Sequence, residues 1–318
     1  MPEARSAGDA VCVTGSSGFI GRHLCAALAN AKTAVTGIDR VPGPRANETS
    51  RWLQLDIQLL KDLQRKISDT ERNGKLVHLA AEAEVITPWN QIPSLLSTNL
   101  NGTWNVLATL QPTLCVFASS SSVYGNATIQ NSAARWSAAR PLGLYGISKS
   151  SGELLLRDWA LDNGKAAVLL RLGNIIGPGC RGLIPYLIRH AKQYPDGATP
   201  AQLRGNGVLV RDYTPVSYVV KVIQAVLSMT WPPGSSELFN LGTGGGMTNR
   251  EVTKIVQRVL AREGYQLTVR WDNPVPAGEA HSIVLDCGSL IRKFGIGSPS
   301  RKEVEACIEE SALEHLRS

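Results

Sequence analysis

The chain of 318 residues lacks most of the features that mark specialised protein classes. No apolar run approaches the roughly 20 residues of a membrane-crossing helix. The six cysteines (Cys12, Cys25, Cys115, Cys180, Cys287 and Cys307) never fall in a Cys-x-x-Cys pair. That spacing speaks against a disulfide framework or a zinc knuckle, so no metal is expected and a reducing, cytoplasmic setting is. The Asn-x-Thr triplets at Asn47, Asn101 and Asn126 would then carry no glycan. The opening stretch MPEARSAGDA lacks the apolar core of a secretory signal. Lys and Arg (33) outnumber Asp and Glu (26) for a net charge of +7, yet no run of five basic residues occurs. Neither nucleic acid nor a membrane surface is therefore an expected partner, whereas a small anionic substrate suits dispersed positive charge.

What remains is ordinary globular composition, 43% hydrophobic and 19% charged. The length suits about two domains, or one α/β domain with an appendage. Apolar runs at 10–15, 33–39, 76–81, 114–120 and 167–174 alternate with helix-like stretches at 18–30, 58–68, 93–110 and 144–162. Val, Leu and Ile fill the runs without alternation, as in a parallel sheet covered on both faces. Strand and helix in turn predict βαβ units and a doubly wound α/β fold. After residue 174 Gly and Pro punctuate the chain, at 173–182 and 195–207. A helix at 216–229 and the run ELFNLG (237–242) are expected to return to the sheet. A helix at 248–262, a strand at 266–272 and helices near 287–294 and 301–316 predict a smaller lobe.

Gly15-Ser16-Ser17-Gly18-Phe19-Ile20-Gly21 lies between the first expected strand and helix. Glycines there permit a tight turn, close approach of the backbone to a pyrophosphate, and close packing of helix on strand. Asp39 ends the second expected strand. A carboxylate at that place accepts from both hydroxyls of an adenosine ribose and repels a 2′-phosphate, which favours NAD over NADP. Arg40 beside it has the chemistry to hold such a phosphate. Asp56, after WLQL, is a candidate for the adenine side.

Tyr145 and Lys149 stand at i and i+4, on one helix face. A phenol near its ordinary pKa of about 10 is a poor base at neutral pH. A nearby ammonium and the positive ring of an oxidised nicotinamide favour the phenolate. The run Ser119-Ser120-Ser121-Ser122 ends the preceding expected strand, where a hydroxyl could share a substrate proton with Tyr145.

These motifs together resemble the extended short-chain dehydrogenase/reductases, in the NAD-dependent sugar-nucleotide epimerase/dehydratase branch. They run in order along nearly the whole chain: TGSSGFIG (14–21), Asp39, His78-Leu79-Ala80-Ala81, Asn99-x-x-Gly102-Thr103, SSSSVYG (119–125), YGISK (145–149), RLGNIIGPG (171–179), RDYTPV (211–216) and FNLGTG (239–244). The resemblance implies a Rossmann-type domain over 1–173 plus about 216–242, with a substrate-binding α/β lobe over 174–215 and 243–318. It implies Ser120, Tyr145 and Lys149 as catalytic residues. Gly15, Ser17, Gly18, Phe19, Ile20, Gly21, Asp39, Arg40, Asp56, Ile57, Leu79, Ala80, Ala81, Asn99, Tyr145 and Lys149 would meet NAD. Ser120, Ser121, Ser122, Tyr145, Asn174 and Arg211 would meet the substrate, the last two at its diphosphate. A homodimer is common in such enzymes, although the apolar stripes on 93–110 and 144–162 serve equally as core faces.

The branch begins with oxidation of the sugar at C4. The dehydratases it contains carry Asp and Glu after the catalytic Ser/Thr, and the xylose-forming decarboxylases carry a Glu two residues before the VYG tyrosine. Here those positions are Ser121 and Ser122, which cannot act as carboxylates. The run resembles the nucleotide-sugar 4-epimerases instead. A 4-ketoreductase or an unusual dehydratase is the alternative, and a silent dinucleotide sensor would be expected to lose Tyr145 or Lys149. Three departures from the pattern, Ile176, Tyr218 and PVPAGEAHS (274–282) without the usual arginine, point to an unusual substrate; His281 could replace the arginine.

Overall fold

The computed structural model describes residues 10–43, 50–84, 88–125, 136–275 and 280–318, so Asn47, Asn126 and most of the opening stretch lie outside it. In chain order the elements are β1 (Val11–Thr14), α1 (Phe19–Asn30), β2 (Val35–Asp39), β3 (Ser50–Gln54), α2 (Leu60–Lys66), β4 (Lys75–His78), α3 (Ile92–Leu96), α4 (Thr103–Leu110), β5 (Leu114–Ser120) and α5 (Leu144–Asn163). There follow β6 (Ala166–Leu172), β7 (Asn174–Ile176), α6 (Leu183–Gln193), β8 (Ala201–Arg204), β9 (Val210–Pro215), α7 (Val216–Ser228), β10 (Ser236–Leu241) and β11 (Gly246–Thr248). The last are α8 (Asn249–Arg262), β12 (Val269–Asn273), β13 (Ser282–Ile283), α9 (Gly288–Phe294) and α10 (Arg301–Arg317). No helix among the described residues is long and apolar enough to cross a membrane.

The central sheet has seven strands in the order β10-β6-β5-β4-β1-β2-β3. The ladders from β3 to β5 all run parallel, with Val13 opposite both Gly37 and Val77. Every residue of β1 and of β6 is buried, as runs without alternation require when helices cover both faces. This is the doubly wound fold that the apolar runs predict. Strand order reverses between β1 and β4, and the carboxyl ends of strands at such a switch point are where open α/β sheets bind ligands. Strand β3 was not expected: SRWLQ is a half-exposed edge strand without a solid apolar run.

The expected single helix over 93–110 is three pieces. Between α3 and α4 the chain makes a π-type turn, Ser97–Gly102, wider than an α-turn. Such turns are rare and concentrate at functional sites. Gly102 within it sits against Ile57, where a Cβ would approach the Ile57 side chain to 2.7 Å.

The chain divides into two compact units, one of residues 1–123, 143–171 and 220–239, the other of 124–142, 172–219 and 240–318. Of the described residues expected with the first domain, 124–125 and 136–142 group with the second unit. In that unit β9 pairs with β7, β11 and β13, while β8 pairs with β12. Helices α6, α8 and α10 pack on one another. Reciprocal capping boxes, Thr248 with Glu251 and Ser300 with Glu303, start α8 and α10. Helix α6 and the short strands β7, β8, β9, β11 and β13 were hidden by the Gly and Pro punctuation around them.

Candidate active site

The glycine loop leaves β1 through Gly15, whose φ of +70° favours glycine. A side chain there would also strike the Ala80 backbone at 2.7 Å. Gly21 lets α1 lie on the turn, since a Cβ would come within 2.1 Å of the Gly15 carbonyl. These two glycines therefore serve the close packing of turn, helix and β4. At Gly18, the N-cap of α1, no side chain caps the helix and no acidic residue sits in the first turn. Its leading N–H groups are free of side-chain caps, and the helix dipole there favours an anion. Phe19 and Ile20 are half-buried in that first turn.

Asp39 holds this loop from the end of β2. Its Oδ2 accepts the Ser17 N–H and its Oδ1 the Val41 N–H, each at 3.0 Å. Arg40 next to it is exposed. Asp56 accepts the Gln58 N–H at 2.9 Å, and Ile57 is buried under Asn105, which donates to its carbonyl. Leu79, Ala80 and Ala81 follow β4 and are half-buried, the Leu79 N–H reaching the Thr14 carbonyl.

Ser120 ends β5, and Tyr145 and Lys149 lie in the first turns of α5, so the structure brings the three expected catalytic residues together. Burial pushes the Tyr145 phenol up to about 12, and the neighbouring Ser120 hydroxyl opposes that rise. Ser120 Oγ also accepts the Ser122 N–H at 3.1 Å, which fixes the hydroxyl. Ser121 is buried beside it and Ser122 is half-buried. Lys149 Nζ donates to the Ala118 carbonyl at 2.8 Å and stands 4.8 Å over the Phe117 ring. Burial pulls its ammonium down to about 8, against the opposing pull of the Glu153 carboxylate.

Behind these groups runs a buried polar chain. Thr14 Oγ1 lies 2.7 Å from His78 Nδ1, and Thr103 Oγ1 lies 2.9 Å from His78 Nε2. Thr103 gives its own proton to the Asn99 carbonyl, so it must accept from His78, and Thr14 must donate. Donor accounting thus assigns the Nε2–H tautomer. Burial, then the Lys149 charge, lowers His78 to about 3, so the ring is neutral. Asn99, in the π-type turn, takes the Glu82 N–H and gives to the Glu82 carbonyl and to Ser148 Oγ. Ser148 in turn donates to the Tyr145 carbonyl. Asn99 therefore braces the first turn of α5.

In the second unit Asn174 is exposed at the start of β7, in register with Tyr213 of β9. Arg211 on β9 is mostly buried and donates to the Val210 carbonyl at 2.9 Å. The residue that sequence reasoning missed is its neighbour Asp212. Buried at 1% exposure, it gathers the N–H groups of Thr243, Gly244 and Leu285. The acid next to Arg211 in the run VRDYTP was the available signal.

A family model described as the NAD dependent epimerase/dehydratase family matches residues 11–242. The chain belongs to that family. It is 29% identical over 299 residues to an uncharacterized UDP-glucose epimerase, YtcB, of Bacillus subtilis, covering 87% of this chain and 89% of that one. A UDP-glucuronate 4-epimerase of Arabidopsis thaliana is 27% identical over 80% of this chain and 64% of its own. A UDP-N-acetyl-alpha-D-glucosaminuronate decarboxylase of Bacillus cytotoxicus is equally identical, over 84% of this chain and 85% of its own. Among solved structures, MoeE5 in complex with UDP-glucuronic acid and NAD matches with a TM-score of 0.81 at 29% identity, covering 95% of this chain and 98% of that one.

The residues present fit the dinucleotide that the family uses. Each Asp39 oxygen accepts one backbone N–H, which leaves lone pairs for ribose hydroxyls. The uncapped start of α1 supplies donors for a pyrophosphate. This family member is an NAD-dependent enzyme.

Proposed function

We propose that the protein is a nucleotide-sugar 4-epimerase acting on a UDP-hexuronic acid or UDP-hexose. The observation that carries this reading is the reacting set itself. Ser120 stands beside Tyr145, where its hydroxyl favours the phenolate, and is followed by Ser121 and Ser122, where elimination or decarboxylation chemistry would call for carboxylates. The UDP-sugar epimerases among the relatives and the UDP-glucuronic acid seen in MoeE5 support the same substrate class.

In this reading Tyr145 Oη takes the proton of the sugar C4 hydroxyl, with the Ser120 hydroxyl beside it sharing that proton. NAD held at this site would supply a hydride acceptor and donor for C4, and its positive ring would favour the Tyr145 phenolate. Lys149 adds a second positive charge and a donor for the nicotinamide ribose. The 4-keto sugar turns over in the pocket, and Tyr145 returns the proton on the opposite configuration. The reaction balances without a second acid–base pair and without net use of cofactor. Gly15, Ser17, Gly18, Phe19, Ile20, Gly21, Asp39 and Leu79 to Ala81 are proposed to line the NAD site. Asn99 is assigned there as a brace. Arg211, whose guanidinium fork suits a phosphate, and Asn174 are proposed for the diphosphate.

A homodimer through α4 and α5 is part of this reading. Trp104 on α4 and Ile147, Leu154 and Leu161 on α5 are exposed, the last three spaced by seven along one stripe. The test of function is proton NMR of the purified enzyme with UDP-glucuronic acid, UDP-glucose and their N-acetyl counterparts, without added cofactor. A new anomeric signal with a changed H3–H4 coupling is expected. Stoichiometric consumption of added NADH would transfer the assignment to a ketoreductase.

A further inference from the structure

Glu153 on α5 and Arg171 on β6 form an ion pair sealed from water, with side-chain exposures of 2% and 0%. The pair is a fork: Arg171 Nε donates to Oε1 at 2.8 Å and Nη2 to Oε2 at 2.6 Å. Ser119 Oγ donates to Oε1 as well. One carboxylate therefore ties together a helix and the ends of two strands. Stability alone gives little reason to build such a pair, because desolvation of both ions offsets most of their attraction. Its position suggests another reason. Glu153 follows Lys149 by four residues and Tyr145 by eight, on the same helix face. Ser119 directly precedes Ser120.

We propose that Glu153, clamped by Arg171, is a positioning residue for the reacting set. Through Ser119 it fixes the strand end that presents Ser120, and through α5 it sets a negative charge one turn from Lys149. The proposal rests on the assignment of Tyr145 and Lys149 as the reacting pair. The surroundings of Lys149 make that charge count. From β5 it meets the Phe117 ring and the Ala118 carbonyl, and from β4 the neutral His78. From its own helix it meets Tyr145 and Glu153, while Arg171 on β6 is taken up by the fork. Of these, Glu153 is the group that opposes the loss of the Lys149 proton on burial. Without it the ammonium would be lost at a lower pH, and with it the charge that holds a phenolate.

The experiment follows Lys149 directly, by NMR titration of holoenzyme labelled with 13C at lysine Cε. Wild type should titrate near 8. In Glu153→Gln the midpoint should fall by about one pH unit or more. Because that change strands the Arg171 charge, Glu153→Gln/Arg171→Met serves as the variant in which both ions leave together. It should show a downward shift as well, smaller because the Arg171 repulsion leaves with the Glu153 attraction, and Glu153→Asp, which keeps the charge, should restore the midpoint. Ser119→Ala separates the other half: kcat should drop about tenfold with KM unchanged, the signature of a displaced Ser120. An unmoved Lys149 midpoint in the folded double variant overturns the electrostatic role, and an unchanged kcat in Ser119→Ala overturns the strand role. The titration needs no sugar. Inactivity toward UDP-sugars would therefore refute the 4-epimerase reading while leaving this result intact.

Discussion

The two units each bury a carboxylate deeply, and they satisfy it in opposite ways. Glu153 in the first unit is met by side chains, the Arg171 fork and the Ser119 hydroxyl. Asp212 in the second is met largely by backbone, the N–H groups of Thr243 and Gly244 and, at 3.2 Å, of Leu285, with the Thr243 hydroxyl added. The difference follows from the surrounding structure. Helix α5 and the strands beside it spend their amides on one another, so only a side chain is left to answer an acid. The Gly242–Gly245 bend and the segment at Leu285 lie outside the long ladders, so the amides of Thr243, Gly244 and Leu285 are left for Asp212. A carboxylate there organises loops; in the first unit it organises reacting groups already held by regular structure.

That contrast can be broken first at the reacting groups. Tyr145→Phe removes a single hydroxyl from a helix whose backbone is fixed elsewhere, by Ser148 and Asn99. NAD binding should survive, while turnover falls by about 10²–10⁴-fold, the range for a lost general acid–base group. Near-wild-type turnover would remove Tyr145 from the mechanism. The second unit should respond through stability instead. Asp212→Ala leaves three buried backbone donors unanswered, at about 1 kcal/mol or more apiece. A loss of about 3 kcal/mol in urea unfolding is expected, with hydrogen exchange accelerated at 243–245 and 285. Exchange unchanged in those segments would mean the loops hold themselves.

The buried His78 gives the first unit a pH dependence of its own. The unfolded chain binds a proton there near pH 6.5, and the folded chain only near 3. Between those values the unfolded state holds more protons, so stability rises with pH and is lost on acidification. The limiting slope is about 1.4 kcal/mol per pH unit. His78→Gln, which keeps a donor and an acceptor, should flatten the dependence between pH 6.5 and 5. An equally steep dependence in that variant would place the titration elsewhere.

How legible all this was in sequence tracks the same contrast. Elements built from local pattern were readable: the apolar runs became β1, β2, β4, β5 and β6, and the Tyr145–Lys149 spacing put both on one face of α5. What could not be read was whatever depends on a distant partner. Arg171 stood out as a charge in the run AVLLRL, but nothing local names Glu153 as its counter-ion. Asp212 stands in the mixed run VRDYTP, and the backbone amides it answers lie more than thirty residues further on. The π-type turn was invisible because its cause is tertiary: Asn99 reaches Glu82 and Ser148, and Gly102 meets Ile57. Strands β7 and β13 are three and two residues long, so they pair by register and carry no pattern of their own.

Asp39 is the intermediate case, and it sharpens the comparison at the smallest scale. Like Asp212 it answers backbone amides, those of Ser17 and Val41. Unlike Asp212 it is only half-buried, so its remaining lone pairs face solvent or a ligand. Asp39→Ala should weaken NAD about tenfold, or ~1.4 kcal/mol, and relax selection against NADP. That variant also frees the Ser17 amide, so loop disorder alone could account for a weaker Kd. Asp39→Asn separates the two effects, because an amide oxygen still accepts from Ser17 while the negative charge is gone. If charge repulsion of a 2′-phosphate sets the cofactor choice, calorimetry should find that Asp39→Asn narrows the NAD to NADP affinity ratio as far as Asp39→Ala does. A ratio that stays at the wild-type value in Asp39→Asn would show that Asp39, like Asp212, works only by holding its loop.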